Sequence, residues 1–245
     1  MSEIKKIALK NFENISKVSG IDMSKINKFI QSAVSYIWFI PNEFSGPLGA
    51  EWIEDPTNDG TYEVTGGQLV TTQSGGQFAI VYQTFEDPFF DIWTKFSVTN
   101  TGLSGVYNRY NVGNFAIWSP PYEDWNYPTV DLYLQYNYGT ATEYSLAIYV
   151  QEEMETGFRE DPYIPDGFDI YNPEIYLRIK YTVGDFVRIY WSQGGEWVEI
   201  DTGVNIIPSQ SKHVILQGFG SISPVNNTVS FDFIRKHNEI PFVPE

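Results

Sequence analysis

Residues 176–200 read YLRIKYTVGDFVRIYWSQGGEWVEI, an alternation of apolar and polar side chains broken only at Val183-Gly184-Asp185 and at Gly194-Gly195. A period of two places one set of side chains on each face of a pleated strand. Gly and Asp at the breaks are turn formers. The stretch therefore folds only as antiparallel sheet, and the function has to be built on that sheet.

The same texture runs through the chain after Pro41. Short alternating runs occur at 77–85, 91–99, 114–119, 129–136, 144–151, 197–201, 213–220 and 228–235, each bounded by turn residues. GTYEVTGGQLVTTQ has the shape of a hairpin turning through Gly66-Gly67. In TVDLYLQY the pattern sends Val130, Leu132 and Leu134 to a core and Asp131, Tyr133 and Gln135 outward. Regular strand and turn spacing with almost no helical pattern predicts an all-β antiparallel sandwich over 45–245. Residues 152–174, acidic and rich in Pro, break the rhythm and are expected to form a long loop.

The first 44 residues differ. Six of the fifteen Lys and Arg residues lie there, and ISKVSG at 15–20 recurs as INKFIQ at 26–31. Asp22 is placed to cap a short helix with Met23, Ile26, Phe29, Ile30, Ala33, Val34 and Ile37 on one stripe. So short an apolar stripe must dock on something. Residues 1–44 are accordingly expected to form a docking arm with a small helix, using Ile15, Val18, Ile26, Phe29 and Ile30 against a partner.

Composition excludes several functions. A net charge of -16 repels phosphate backbones, so nucleic acid is not an expected partner. With no cysteine there is no disulfide, thiol nucleophile or zinc-thiolate site. No apolar segment has the length of a signal peptide or membrane span. Neither His213 nor His237 lies beside a nucleophile motif, and no phosphate-binding Gly-rich loop occurs. In DPTNDG (55–60) Asp55, Asn58 and Asp59 make an oxygen-rich turn, but the calcium-loop spacing is not satisfied and an Asx-rich turn explains it. No cofactor or metal is expected.

Sugar recognition is the chemistry that the aromatic content favours, at 17% of residues. Rings stack on the apolar faces of sugars while planar polar groups take hydroxyls. The best candidates are Tyr122, Trp125 and Tyr127, in a Pro-stiffened loop, followed on the next strand by Asp131, Tyr133 and Gln135. Arg178, Lys180, Arg188 and Tyr190 make a second outward polar face that balances acidic neighbours.

EWIEDPTNDGTYEVTGGQLVTT (51–72), followed by the meander at 176–200 and a last strand VSFDFIR, resembles the concanavalin A-like lectin/glucanase jelly rolls, laminin G-like domains included. The resemblance covers about 45–237 and implies a jelly-roll sandwich. It implies no single activity, because the fold hosts lectins, hydrolases and structural modules. The glucanase branch carries its acids as Glu-x-Asp-x-x-Glu along one strand, and that spacing is absent here. NISKVSGIDMSKINKFIQ (14–31) is similar to short segments at the start of tailed-phage virion proteins.

Together these readings lead to the expectation of a non-enzymatic virion protein of capsid-decoration or head-fibre type. It would be assembled in the host cytoplasm, docked on other virion proteins through its arm, and able to bind surface glycans without a membrane partner. A homo-oligomer is compatible with this reading. The alternatives are a tail or baseplate component, or a stand-alone carbohydrate-binding protein or glycoside hydrolase on the same fold.

Overall fold

A computed structural model describes residues 37–74, 77–101, 109–119, 129–137, 143–153, 156–182, 185–204, 206–208, 211–219 and 226–237. Among these, fourteen strands and no helix are found. They are β1 (Trp52–Glu54), β2 (Thr61–Thr65), β3 (Gln68–Ser74), β4 (Phe78–Phe85), β5 (Phe90–Thr101), β6 (Arg109–Trp118) and β7 (Thr129–Asn137). The second half supplies β8 (Glu143–Glu153), β9 (Thr156–Tyr163), β10 (Glu174–Tyr181), β11 (Arg188–Ser192), β12 (Val198–Ile200), β13 (Lys212–Phe219) and β14 (Asn226–Lys236).

Two seven-stranded sheets form, the first in the order β1-β4-β13-β6-β7-β8-β9 and the second in the order β12-β11-β10-β5-β14-β3-β2. Every strand pairing is antiparallel. Neighbours distant in sequence lie side by side, as β5 does with β14, which is how a jelly roll differs from a simple meander. The opening stretch is the β10-β11-β12 edge of the second sheet, and Leu177, Ile179, Ile189 and Trp191 point from it into the core.

The core lies between the sheets. Val130, Leu132 and Leu134 of β7 meet Phe115, Ile117, Ile148 and Phe96 there, all buried. Full burial of each such side chain contributes roughly 1.5–3 kcal/mol. Gly113 and Gly218 allow close approach of the sheets, since a Cβ would lie 2.7 Å from the Phe96 ring at the first and would collide with the Thr71 hydroxyl at the second. The hairpin of β2 and β3 turns through Gly66 and Gly67, both at positive φ (61° and 79°), as the two-residue turn requires.

The compact unit runs from Phe39 to Glu245. Phe39 and Phe44, from the end of the segment read as an arm, are fully buried parts of its core. Asn42 bridges to Ile234 of β14. Of the helical stripe only Ile37 is described, exposed and in no helix; its other members and the docking residues Ile15, Val18, Ile26, Phe29 and Ile30 lie outside the described residues.

The expected loop at 152–174 is corrected. β8 runs on through Glu153, and 156–163 form an edge strand on β8, with two register shifts. An edge strand tolerates the charges and Pro162 that made this segment read as irregular, because one side of it needs no ladder partner.

Candidate functional site on the first sheet

Alternation gives the first sheet an outer face, and register places the side chains on it. Asp131 pairs with Ala116 on one side and Tyr149 on the other, and Tyr149 pairs with Arg159. The neighbouring rows carry His213 and Trp118 on one flank and Gln217, Asn114 and Tyr133 on the other. From Tyr82 on β4 to Arg159 on β9 the face crosses six strands, about 24 Å at the usual interstrand spacing.

Asp131 is the centre of this face. Its Oδ1 accepts hydrogen bonds from the Trp118 indole N–H (2.8 Å) and from Asn114 Nδ2 (3.1 Å). The Tyr133 hydroxyl is a third partner. Asn114 Nδ2 also reaches Gln217 Oε1 at 3.4 Å. Among the described residues no cation pairs with Asp131. Burial pushes its carboxyl up to about 6, against the pull of the Asn114, Trp118 and Tyr133 donors. Burial, and then the nearby Asp131 charge, lift the Tyr133 phenol well above its ordinary value.

Aromatic rings flank the acid. Tyr133 packs edge-on to Tyr149 (5.3 Å) and against Phe219 (5.6 Å). The Arg159 guanidinium lies over Tyr149 at 4.8 Å. On the other flank His213 sits edge-on to Tyr82 at 4.9 Å and shares a hydrogen bond with the Thr84 hydroxyl at 2.9 Å. Burial lowers the His213 imidazole from its ordinary value, so it is neutral at pH 7. Further along the face, Gln135 Nε2 donates to Asn111 Oδ1 (2.8 Å), and the Ser145 hydroxyl donates to Gln135 Oε1 (3.4 Å).

Three of the six residues expected to bind a ligand, Asp131, Tyr133 and Gln135, share this face. Tyr122, Trp125 and Tyr127 lie outside the described residues. The outward direction holds, but outward does not mean solvated: Asp131 is 4% exposed and Gln135 3%. Trp118, Asn114, Gln217, Tyr149 and His213 escape the reading by sequence. The signal was there, since Asn114 and Gln217 are polar interruptions of apolar strands, but nothing local brings β13, β6 and β7 together.

The DPTNDG turn is held by its own side chains. Asp55 Oδ1 accepts from the Thr57 N–H (2.8 Å), and Asn58 takes both the N–H and the carbonyl of Ile80 (2.7 and 2.8 Å). Asp59 Oδ1 accepts from the Phe78 N–H at 2.7 Å. These oxygens stitch the turn to β4. Among the described residues no group of three or more His, Asp or Glu is placed to hold a metal ion.

No family model matches the sequence, and no curated protein matches it either. Solved structures do match. A prokaryotic β-1,3-1,4-glucanase (lichenase) from a mouse hindgut metagenome superposes with a TM-score of 0.50 at 14% identity, over 82% of this chain and 99% of its own. The shared architecture is the antiparallel jelly-roll β-sandwich. A Bacillus licheniformis β-glucanase matches with a TM-score of 0.50 at 12% identity, over 83% of this chain and 99% of that one. A native glycosidic hydrolase matches at 0.50 and 13%, over 82% and 97%. At such identities the likeness is one of fold.

These neighbours correct the expectation of a non-enzymatic protein. It rested on the missing Glu-x-Asp-x-x-Glu strand, yet the jelly roll found here is one on which glycan-cleaving enzymes are built. None of the three is a virion protein.

Proposed function

We propose that the chain is a carbohydrate-active enzyme that cleaves a glycosidic bond at the outer face of the first sheet, with Asp131 as the proton-transferring group. The observation that carries this reading is the state of Asp131. It is a buried carboxyl with no cation beside it among the described residues, pushed up to about 6, set between the apolar cluster of Ile80, Ala116 and Ile215 and the rings of Trp118, Tyr133 and Tyr149. A carboxyl tuned to that range holds its proton at mildly acidic pH and can give it up, which general acid catalysis requires. The fold shared with glucanases supports the substrate class.

In hydrolysis, Asp131 donates its proton to the glycosidic oxygen as the bond to the anomeric carbon breaks. Water then adds to that carbon and returns a proton, so the net change is addition of water across the C–O bond. Such a reaction uses a second carboxylate, and Asp131 is the only one on this face beside Trp118 and Asn114 among the described residues. Hydrolysis by this route therefore requires a second acid besides these described neighbours.

The test is release of reducing ends by the full-length protein from a panel of neutral polysaccharides, including mixed-linkage β-glucan, with a polyuronate alongside. Cleavage of at least one polymer, falling off as pH rises through about 6 and lost in Asp131→Asn, is expected. No cleavage of any polymer, or cleavage unchanged in Asp131→Asn, overturns the reading.

A further inference from the structure

The outer face of the second sheet carries a pattern that cleavage at Asp131 does not use. Register sets Arg235, Trp93, Arg178 and Tyr190 side by side on β14, β5, β10 and β11. The adjoining row reads Phe233, Lys95, Tyr176 and Ser192 on the same strands. Trp197, just before β12, stands edge-on to Trp93 at 5.8 Å. Aromatic and cationic side chains alternate along the first row, and between the rows on β14, β5 and β10, as on a checkerboard.

Each cation is shared between rings and carboxylates. The Arg178 guanidinium lies over Tyr190 (4.8 Å) and Trp197 (5.7 Å) and is gripped by Asp91 through two bonds of 2.6 Å. Arg235 covers Phe233 (3.9 Å) and Trp93 (5.7 Å) and is held by both oxygens of Glu43. Lys95 faces Tyr176 (5.6 Å) and bridges Glu174 (2.8 Å) and Asp232 (2.9 Å). Lys180 and Arg188, on the same face, bring the cations to five, against six carboxylates once Glu199, the register partner of Tyr190, and Asp185 are counted with Asp91, Glu43, Glu174 and Asp232, so this strip is close to neutral within a chain of net charge -16.

The charge balance decides the ligand. Rings interleaved with unpaired cations make a track for single-stranded nucleic acid, but here the cations are balanced and phosphate gains nothing. What the strip offers is partly exposed ring surface next to rigid forks, in which a guanidinium donor sits beside a carboxylate acceptor. A neutral polymer of apolar C–H faces and hydroxyl groups uses both. The strip spans five strands, about 19 Å at the usual spacing. It is two to three rows deep, the third carrying Asp91 and Lys180, and falls short of the roughly 800 Å² per partner of a stable protein interface.

We propose that this strip is a second glycan-binding surface, on the face of the sandwich opposite Asp131, which takes a neutral oligosaccharide or polysaccharide chain across β14, β5, β10 and β11. It holds the polymer without cleaving it, and it does not depend on turnover at Asp131.

The test uses full-length protein carrying Asp131→Asn, so that no polymer is cut, titrated calorimetrically with mixed-linkage β-glucan, xyloglucan and a polyuronate. Binding of a neutral polymer is expected, with the polyuronate not bound. Adding Trp197→Ala is expected to weaken that binding at least tenfold. Trp197 lies outside the sandwich core, so its removal spares the fold; Tyr176→Ala is the second variant, with thermal unfolding of each as the check. Binding unchanged in both variants, no binding of any neutral polymer, or a self-association that Trp197→Ala dissolves without any glycan bound each overturn the proposal.

Discussion

The two outer faces of this sandwich come from the same alternation of side chains and treat charge in opposite ways. On the second sheet, Arg178 is locked to Asp91, Arg235 to Glu43, and Lys95 to Glu174 and Asp232. On the first, Asp131 has only an amide, an indole and a phenol for partners among the described residues. Dipoles satisfy the lone pairs of a buried carboxylate without cancelling its charge, so desolvation wins and the proton is held more tightly. A compensated face suits rigidity and recognition. An uncompensated buried acid is a strained group, and such groups cluster where chemistry is done.

The largest effect that would sharpen this contrast is on turnover. Asp131→Asn keeps the acceptor for Trp118 and Asn114 but removes the proton, and is expected to lower kcat by roughly 10²–10⁴-fold, the usual contribution of general acid–base catalysis. The same substitution should stabilise the protein at neutral pH. The carboxyl of Asp131 lies higher in the folded chain (about 6) than in the unfolded one, so folding takes up a proton in that interval. Its contribution to stability is therefore fullest below the ordinary carboxylate value and is lost as pH rises through about 6. At pH 7 the asparagine variant should gain up to roughly 3 kcal/mol, measured by chemical denaturation, and should lack that pH dependence.

On the compensated face the sign reverses. Arg178→Met leaves Asp91, whose side chain is only 20% exposed, without its partner. A loss of about 2 kcal/mol in denaturant unfolding is expected, as for a partly buried charge stripped of its pair. A neutral or stabilising result would erase the contrast between the faces.

A smaller effect tests the dipoles around Asp131. Trp118→Phe removes one of its donors, so the carboxylate is held less well and the carboxyl should rise further, carrying the descending limb of the pH–rate profile up by about one unit. A limb that stays in place would mean that the indole N–H does not support the charge. Smallest of all is Arg188, which pairs with Asp185 and Glu199 where all three side chains are exposed. Screening by water leaves little there, and Arg188→Gln should not move the thermal midpoint measurably.

The contrast was only half legible in the sequence. Alternation in TVDLYLQY and in 176–200 is local, so the strands and the faces of Asp131, Tyr133, Arg178 and Tyr190 follow from it directly. Gly66-Gly67 announces its hairpin for the same reason. What alternation cannot say is which strands lie side by side. Asn114 and Gln217 are 103 residues apart and meet because β13 and β6 pair, and β7 brings Asp131 to the other side of β6. The environment of Asp131 is a product of that non-local order. β9 was missed for another physical reason: an edge strand need not satisfy the rules of a central one, so its Pro and charges read as a loop.

The central claim, that Asp131 is an uncompensated acid poised for proton transfer, is tested most directly by titrating its side-chain carboxyl in the full-length protein. Carbon-detected NMR would follow the resonance from pH 3 to 8, with the signal assigned by its absence in Asp131→Asn. A midpoint near pH 6 is the expected result. A midpoint at or below 4, where ordinary and ion-paired aspartates titrate, would contradict the account.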